Sequence, residues 1–215
     1  MRGWILILGL ILILGCEKGI EVSEPVEKVS EPVEKNSYGE VSKMDILFII
    51  AQKDFRDEEL EEPKKVLEEA GHRVVIASIT TEPAIGMFGM EVKPDLAVKD
   101  AKVDDYAGIV IIGGAGSPTL GNYDEVLTLL KDAFNEGKLI GAICLGPTVL
   151  AKAGILNGKR ATVWASLTAR DGIEVLESNG AVYVKEDVVV DGNIVTAKGP
   201  EVATEFGKKL VEMLS

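Results

Sequence analysis

From Met44 onward, four stretches of this chain are apolar with hardly a polar interruption: Ile46 to Ala51, Val74 to Ala77, Ile109 to Ile112 and Leu139 to Ile143. A strand with one wet face alternates apolar and polar residues. These runs do not, so each must be covered on both faces. Helix-like segments fall between them. Glu58 to Ala70 is stopped by Gly71, and Tyr123 to Glu136 carries Val126, Leu129, Leu130 and Phe134 on one face. Strands of this kind alternating with helices specify an α/β domain, a three-layer sandwich with a mostly parallel sheet and helices on both faces. The pattern predicts strands over Met44–Ala51, Arg73–Ser78, Gly108–Ile112 and Leu139–Ile143, and a short helix from about Pro147 to Ala153. Asp191-Gly192-Asn193 between Val188–Val190 and Ile194–Val195 is a hairpin signal. Pro200 to Leu214 reads as a closing helix with Pro in its first turn.

In such sheets, sites form beyond the carboxyl ends of the strands. That directs attention to Gln52–Glu59, Gly113–Gly116 and Cys144–Gly146. Cys144 lies where a strand hands over to a helix, in a nucleophile-elbow-like turn. A helix start aims N–H groups and the positive dipole end at such a sulfur, which favours thiolate. Ala142 and Gly146 leave room for a tight turn. A buried, inert cysteine is the competing reading. The Gly113–Gly116 run lacks the Lys and Ser/Thr of a nucleotide-phosphate loop.

The net charge is -12 and no stretch concentrates Lys or Arg. This argues against nucleic acid and against anionic membrane surfaces as electrostatic partners. The single histidine, His72, and the two cysteines, Cys16 and Cys144, cannot compose a usual zinc site. No metal and no cofactor is expected.

Ahead of the domain, Arg2 precedes an aliphatic run from Trp4 to Leu14, closed by Gly15-Cys16. That is too short to span a bilayer, which needs about 20 apolar residues. Its layout resembles a lipoprotein-type signal segment over 1–16, with Cys16 the lipidated residue. Residues 17–43 contain Ser23-Glu24-Pro25-Val26-Glu27-Lys28 and a second copy from Ser30 to Lys35. Repeated Pro and scarce apolar surface predict a solvated tether, with the folded domain over 44–215. The expected location is a membrane surface on the extracytoplasmic side, or the cytoplasm if translation starts at Met44.

The motifs of 44–215 resemble the ThiJ/PfpI family, whose fold is of the class I glutamine amidotransferase type. Gly141-Ala142-Ile143-Cys144-Leu145-Gly146-Pro147 is similar to its nucleophile turn. Phe55-Arg56-Asp57-Glu58-Glu59-Leu60, Tyr106 to Gly114 and Asp191 to Pro200 are similar to its first loop, its double-glycine strand and its final helix entry. The resemblance implies Cys144 as nucleophile and Glu59 as the acid beside the sulfur. It implies the N–H groups of Gly114 and Leu145 as donors to a developing oxyanion. A solvated residue in an acidic helix start, with Glu58, Glu61 and Glu62, is the alternative for Glu59.

One departure matters. Peptidase-like members carry His after the nucleophile, and here that residue is Leu145. His72 begins the second strand and is not expected to reach Cys144, so a Cys–His dyad is absent within the chain. The resemblance then implies action on a small reactive carbonyl, of glyoxalase or deglycase type. An oxidation sensor or chaperone-like stress protein without turnover is the alternative, and a cysteine peptidase is disfavoured. Self-association into homo-oligomers is implied by the resemblance alone. Trp164, where some relatives place His, either lines the site or packs in the core.

Overall fold

The computed structural model describes residues 45–166 and 168–215. Cys16, the signal-like segment 1–16 and the tether 17–43 lie outside the described residues. The chain runs β1 (Asp45–Ile49), β2 (Lys53–Phe55), α1 (Asp57–Glu69), β3 (Arg73–Ser78), β4 (Ala84–Gly86), β5 (Glu91–Val92), β6 (Leu96–Ala97) and β7 (Gly108–Ile111). It continues with α2 (Asp124–Asn135), β8 (Leu139–Ile143), α3 (Pro147–Lys152), β9 (Arg160–Ala161), α4 (Asp171–Ser178) and β10 (Val182–Tyr183). Strands β11 (Val188–Asp191) and β12 (Ile194–Ala197) form the expected hairpin, and α5 (Ala203–Leu214) follows.

The main sheet has the order β11-β12-β8-β7-β1-β3-β6 and is parallel except for β11. Its uninterrupted aliphatic strands are buried on both faces, as their sequences require. Ile46, Phe48 and Ile50 meet Leu60 and Leu67 of α1 and Phe206 and Leu210 of α5. Leu47 and Ile49 face the opposite layer, with Val126 and Leu130 of α2, Leu150 of α3 and Leu176 of α4. Gly141 sets one of these distances. A Cβ there would lie 3.0 Å from Leu210 Cδ2 and 3.1 Å from Phe206 Cζ, so its absence lets α5 lie close against β8.

The closing helix begins later than its sequence suggests. Pro200–Val202 is a 3-10 turn, and the α-helix starts at Ala203. Two small sheets escape the sequence pattern, β2-β4-β5 and β9-β10. At the outer edge of the main sheet, β6 covers only Ala77 and Ser78 of β3. Just before them, Asp95 holds Ile76 by both backbone groups. The Asp95 N–H donates to the Ile76 carbonyl at 2.8 Å, and Asp95 Oδ2 accepts the Ile76 N–H at 2.8 Å.

Candidate functional site

Three loops meet beyond the carboxyl ends of β1, β7 and β8. After β8 the chain turns at Cys144 with φ of +60°, a left-handed conformation that costs an L-residue about 1–2 kcal/mol. The turn is fixed on both sides. The Cys144 N–H donates to the Ala197 carbonyl at 2.9 Å, and the Trp164 N–H donates to the Cys144 carbonyl at 2.9 Å. Gly146 is required here, because a Cβ would fall 2.7 Å from the Ile111 carbonyl oxygen. Asp54 is the other non-glycine residue with positive φ among the described residues, and it belongs to the adjoining loop. Such strain collects where surrounding structure holds a functional geometry.

The double glycine after β7 receives that loop. The Arg56 N–H donates to the Gly113 carbonyl, and the Gly116 N–H to the Asp54 carbonyl, both at 3.0 Å. Gly114, with φ of +104°, has no room for a side chain, since a Cβ would lie 2.5 Å from the Arg56 nitrogen. A Cβ on Gly113 would collide with Glu59 Oε2 and lie 2.5 Å from Cys144 Cβ. Glu59 and Cys144 therefore meet over this glycine. Glu59 is fully buried, which settles its orientation against the solvated alternative. The N–H groups of Gly114 and Leu145 are directed at the Cys144 sulfur.

Apart from that sulfur, neither carboxyl oxygen of Glu59 has a hydrogen-bond partner. Burial pushes Glu59 up to about 8. The Cys144 side chain and the Arg56 guanidinium oppose the rise, and Glu58 and Glu201 add to it. Burial, followed by the charge of ionised Glu59, pushes the Cys144 thiol up to about 12 against the pull of the Gly114 and Leu145 N–H groups. The expectation of a ready thiolate at neutral pH is thus corrected. Cys144 is only 7% exposed, and desolvation outweighs the helix start and the two N–H donors. Both groups are raised chiefly by burial, and they titrate as a coupled pair.

Arg56 and Glu201 are neighbours of the site that the sequence did not single out. Arg56 pairs with Glu58 at 2.9 Å and lies 4.6 Å over the Phe88 ring. Its place beside Glu59 in the chain is the one signal that pointed to it, and Glu201 had none. His72 is buried at the start of β3, at the opposite end of the strands from Cys144. Both its ring nitrogens lack partners.

Trp164 is 38% exposed and is not a core residue. With Leu145, Pro118, Val175, Thr148 and Lys152 it lines a pocket of about 260 Å³ beside the nucleophile turn. A larger groove of about 610 Å³ along α2, lined by Lys99, Asp104, Asp124 and Asp132 among others, is open, and no cysteine or histidine lines it. Among the described residues no His, Cys, Asp and Glu side chains group as metal ligands, and no helix is long and apolar enough to cross a membrane.

Comparison with known proteins agrees with the fold. The chain is 45% identical over 170 residues to an uncharacterized protein of Methanocaldococcus jannaschii, covering 79% of this chain and 82% of that one. It is 36% identical over 168 residues to the glutathione-independent glyoxalase DJR-1.2 of Caenorhabditis elegans, covering 78% and 87%. With the deglycase PfpI of Pyrococcus furiosus it shares 32% identity over 171 residues, 80% and 99% of the two chains. A ThiJ/PfpI domain protein from Brachyspira murdochii superposes with a TM-score of 0.75 at 30% identity, over 80% of this chain and 97% of the other. The sequence profile of the DJ-1/PfpI family matches residues 44–213, nearly the whole folded domain, and by that match the chain belongs to the DJ-1/PfpI family.

Proposed function

We propose that the protein converts small α-ketoaldehydes to 2-hydroxy acids, with Cys144 as nucleophile and Glu59 as proton shuttle. The observation that carries this is the buried carboxyl of Glu59, set over Gly113 against Cys144 with no partner but the sulfur. A neutral acid there can give its proton to the ketone oxygen while its other oxygen takes the proton from carbon, which forms the enediol. The Cys144 thiol adds across the aldehyde C=O, so that sulfur bonds to carbon and the proton ends on oxygen. The hydrogen of that carbon then moves, as a proton through an enediol, to the neighbouring ketone carbon, leaving a 2-hydroxy thioester. Water cleaves the carbon–sulfur bond, releasing the acid and restoring the thiol. The N–H groups of Gly114 and Leu145 are the donors available to the developing negative charge. Relatives named glyoxalase and deglycase support this class of chemistry.

The test is methylglyoxal turnover, read as 2-hydroxy acid formed by the wild type, Cys144→Ser and Glu59→Gln. Both variants should lose at least about a hundredfold in kcat/KM. Rates unchanged in Cys144→Ser, or no product from the wild type, would refute the assignment. A second reading rests on the same unpartnered carboxyl, which is placed to hydrogen-bond an oxidised sulfur and so suits a sensor. In that case peroxide gives a stable Cys144 sulfinate in the wild type and not in Glu59→Leu.

We also infer attachment of the full chain to a membrane surface through a lipid on Cys16, from the residues Arg2, Trp4 to Leu14 and Gly15. The intact mass of the native protein checks it, because an unmodified Met1 start excludes it.

A further inference from the structure

We propose that the pocket beside Leu145 and Trp164 selects α-ketoaldehydes that carry a compact apolar substituent of about the size of an aromatic ring. The inference rests on the carbonyl chemistry proposed above and names the part of the substrate that the reacting atoms leave unspecified.

The pocket is anchored to the nucleophile through backbone on two sides. Leu145 follows Cys144, and its N–H is directed at the sulfur while its side chain forms a wall. Trp164 is the opposing wall, fastened by its N–H to the Cys144 carbonyl at 2.9 Å. Cys144 does not itself line the cavity, so the substituent of a carbonyl carbon bonded to the sulfur would enter it past Leu145. Pro118 and Val175 complete the apolar lining. The polar groups at its edge are Thr148, Lys152 and the exposed Asp171, and the first two are already engaged. The Thr148 hydroxyl donates to the Leu145 carbonyl at 2.6 Å, and Lys152 Nζ donates to the Pro118 carbonyl and to Asn122 Oδ1, each at 3.4 Å. An anionic substituent would meet the Asp171 carboxylate there, and a polar one pushed among Leu145, Pro118, Trp164 and Val175 would lose its hydration without a partner. At about 260 Å³ the cavity falls just under the roughly 300–1,000 Å³ usual for drug-sized ligands, so the substituent must be small.

Leu145 stands where the resemblance places a histidine in peptidase-like relatives. Here that position gives an apolar wall instead of a base, a change of specificity as well as a loss of dyad.

The test compares phenylglyoxal with methylglyoxal on the full chain and on Val175→Phe. Val175 is half-buried on α4, and its carbonyl is held by Asn179 Nδ2 at 2.8 Å independently of its side chain. The wild type should favour phenylglyoxal by about tenfold or more in kcat/KM, the usual yield of a few well-seated methylenes. Val175→Phe should lower kcat/KM for phenylglyoxal about tenfold more than for methylglyoxal, so that the preference is lost. A second readout needs no turnover. The rate of Cys144 alkylation by 2-bromoacetophenone is measured relative to iodoacetamide, located by peptide mass spectrometry and normalised to glutathione. The ratio should be raised about tenfold in the wild type and lost in Val175→Phe. Turnover of both aldehydes with no preference and no alkylation bias would overturn the pocket and leave the carbonyl reading standing. Alkylation bias without any turnover would overturn the carbonyl reading and support the pocket.

Discussion

Glu59→Gln should flatten a steep fall in stability between pH 4.5 and 8. In the folded protein the Glu59 carboxyl is raised from 4.5 to about 8, chiefly by burial. Below pH 4.5 both folded and unfolded chains hold the proton, and the group contributes nothing to the pH dependence. Between 4.5 and 8 the unfolded chain has released it while the folded chain keeps it, so each pH unit lowers the unfolding free energy by about 1.4 kcal/mol. Across the whole window the loss is about 5 kcal/mol, and it levels off once the folded carboxyl ionises. Gln fills nearly the same volume, and its buried amide has a desolvation penalty that does not vary with pH. It therefore offsets the curve without tilting it. The thiol is raised from 9.0 to about 12 and leaves the window undisturbed if measurements stop at pH 8.5.

Guanidinium unfolding of wild type and variant, in reductant and at constant ionic strength, gives the difference curve in half-unit steps. A wild-type-minus-variant difference that drifts by less than about 1 kcal/mol from pH 5 to 8 would refute the raised Glu59 carboxyl. It would mean that sulfur and carboxyl already share one proton at neutral pH.

Cys144→Gly should be more stable than Cys144→Ala by about 1 kcal/mol, because only glycine occupies φ of +60° without strain. Thermal unfolding of the two variants reads the difference, and equal midpoints would show the turn to be unstrained. His72→Leu should flatten the acid limb of stability. Burial lowers the folded His72 pKa below its ordinary 6.5, so as pH falls through that value the unfolded chain gains the proton first and stability is lost. A variant that keeps the wild-type acid limb would place the cause elsewhere. Gly141→Ala should cost about 1–3 kcal/mol by pushing α5 off β8, read as a lower midpoint in denaturant.

Runs such as Ile46–Ile50 and Ile109–Ile112 were legible because burial on both faces leaves a signature in composition alone. The nucleophile turn was legible because Cys144 sits between a strand and a Gly-Pro pair. What stayed hidden depends on partners distant in the chain. Lys53–Phe55 and Ala84–Gly86 are three-residue strands whose pairing nothing local announces. Helix α4 is eight residues and contains Gly172, so its periodicity is weak. The proton state of the site was misjudged for a similar reason. Helix-start effects can be read from neighbours in sequence, but the depth at which Cys144 and Glu59 are buried is set by the packing of three separate loops. Trp164 enters the site through one long-range backbone hydrogen bond, which no spacing in the chain encodes.

The grip of Asp95 on Ile76 has a consequence for how these molecules meet one another. An outer strand with free N–H and carbonyl groups is a template on which a neighbour can extend the sheet. Strand β3 would be such a template, since β6 shields only its last two residues. With Ile76 occupied in both directions by one aspartate, an incoming strand finds no donor and no acceptor at the middle of the edge, and it meets a carboxylate there instead. Open-ended, fibre-like growth through this edge is blocked at the level of the backbone. Any association of copies here must rely on side-chain complementarity, which can close on a defined number of subunits. Asp95→Ala would remove the block, and concentration-dependent light scattering at this otherwise quiet edge would report it.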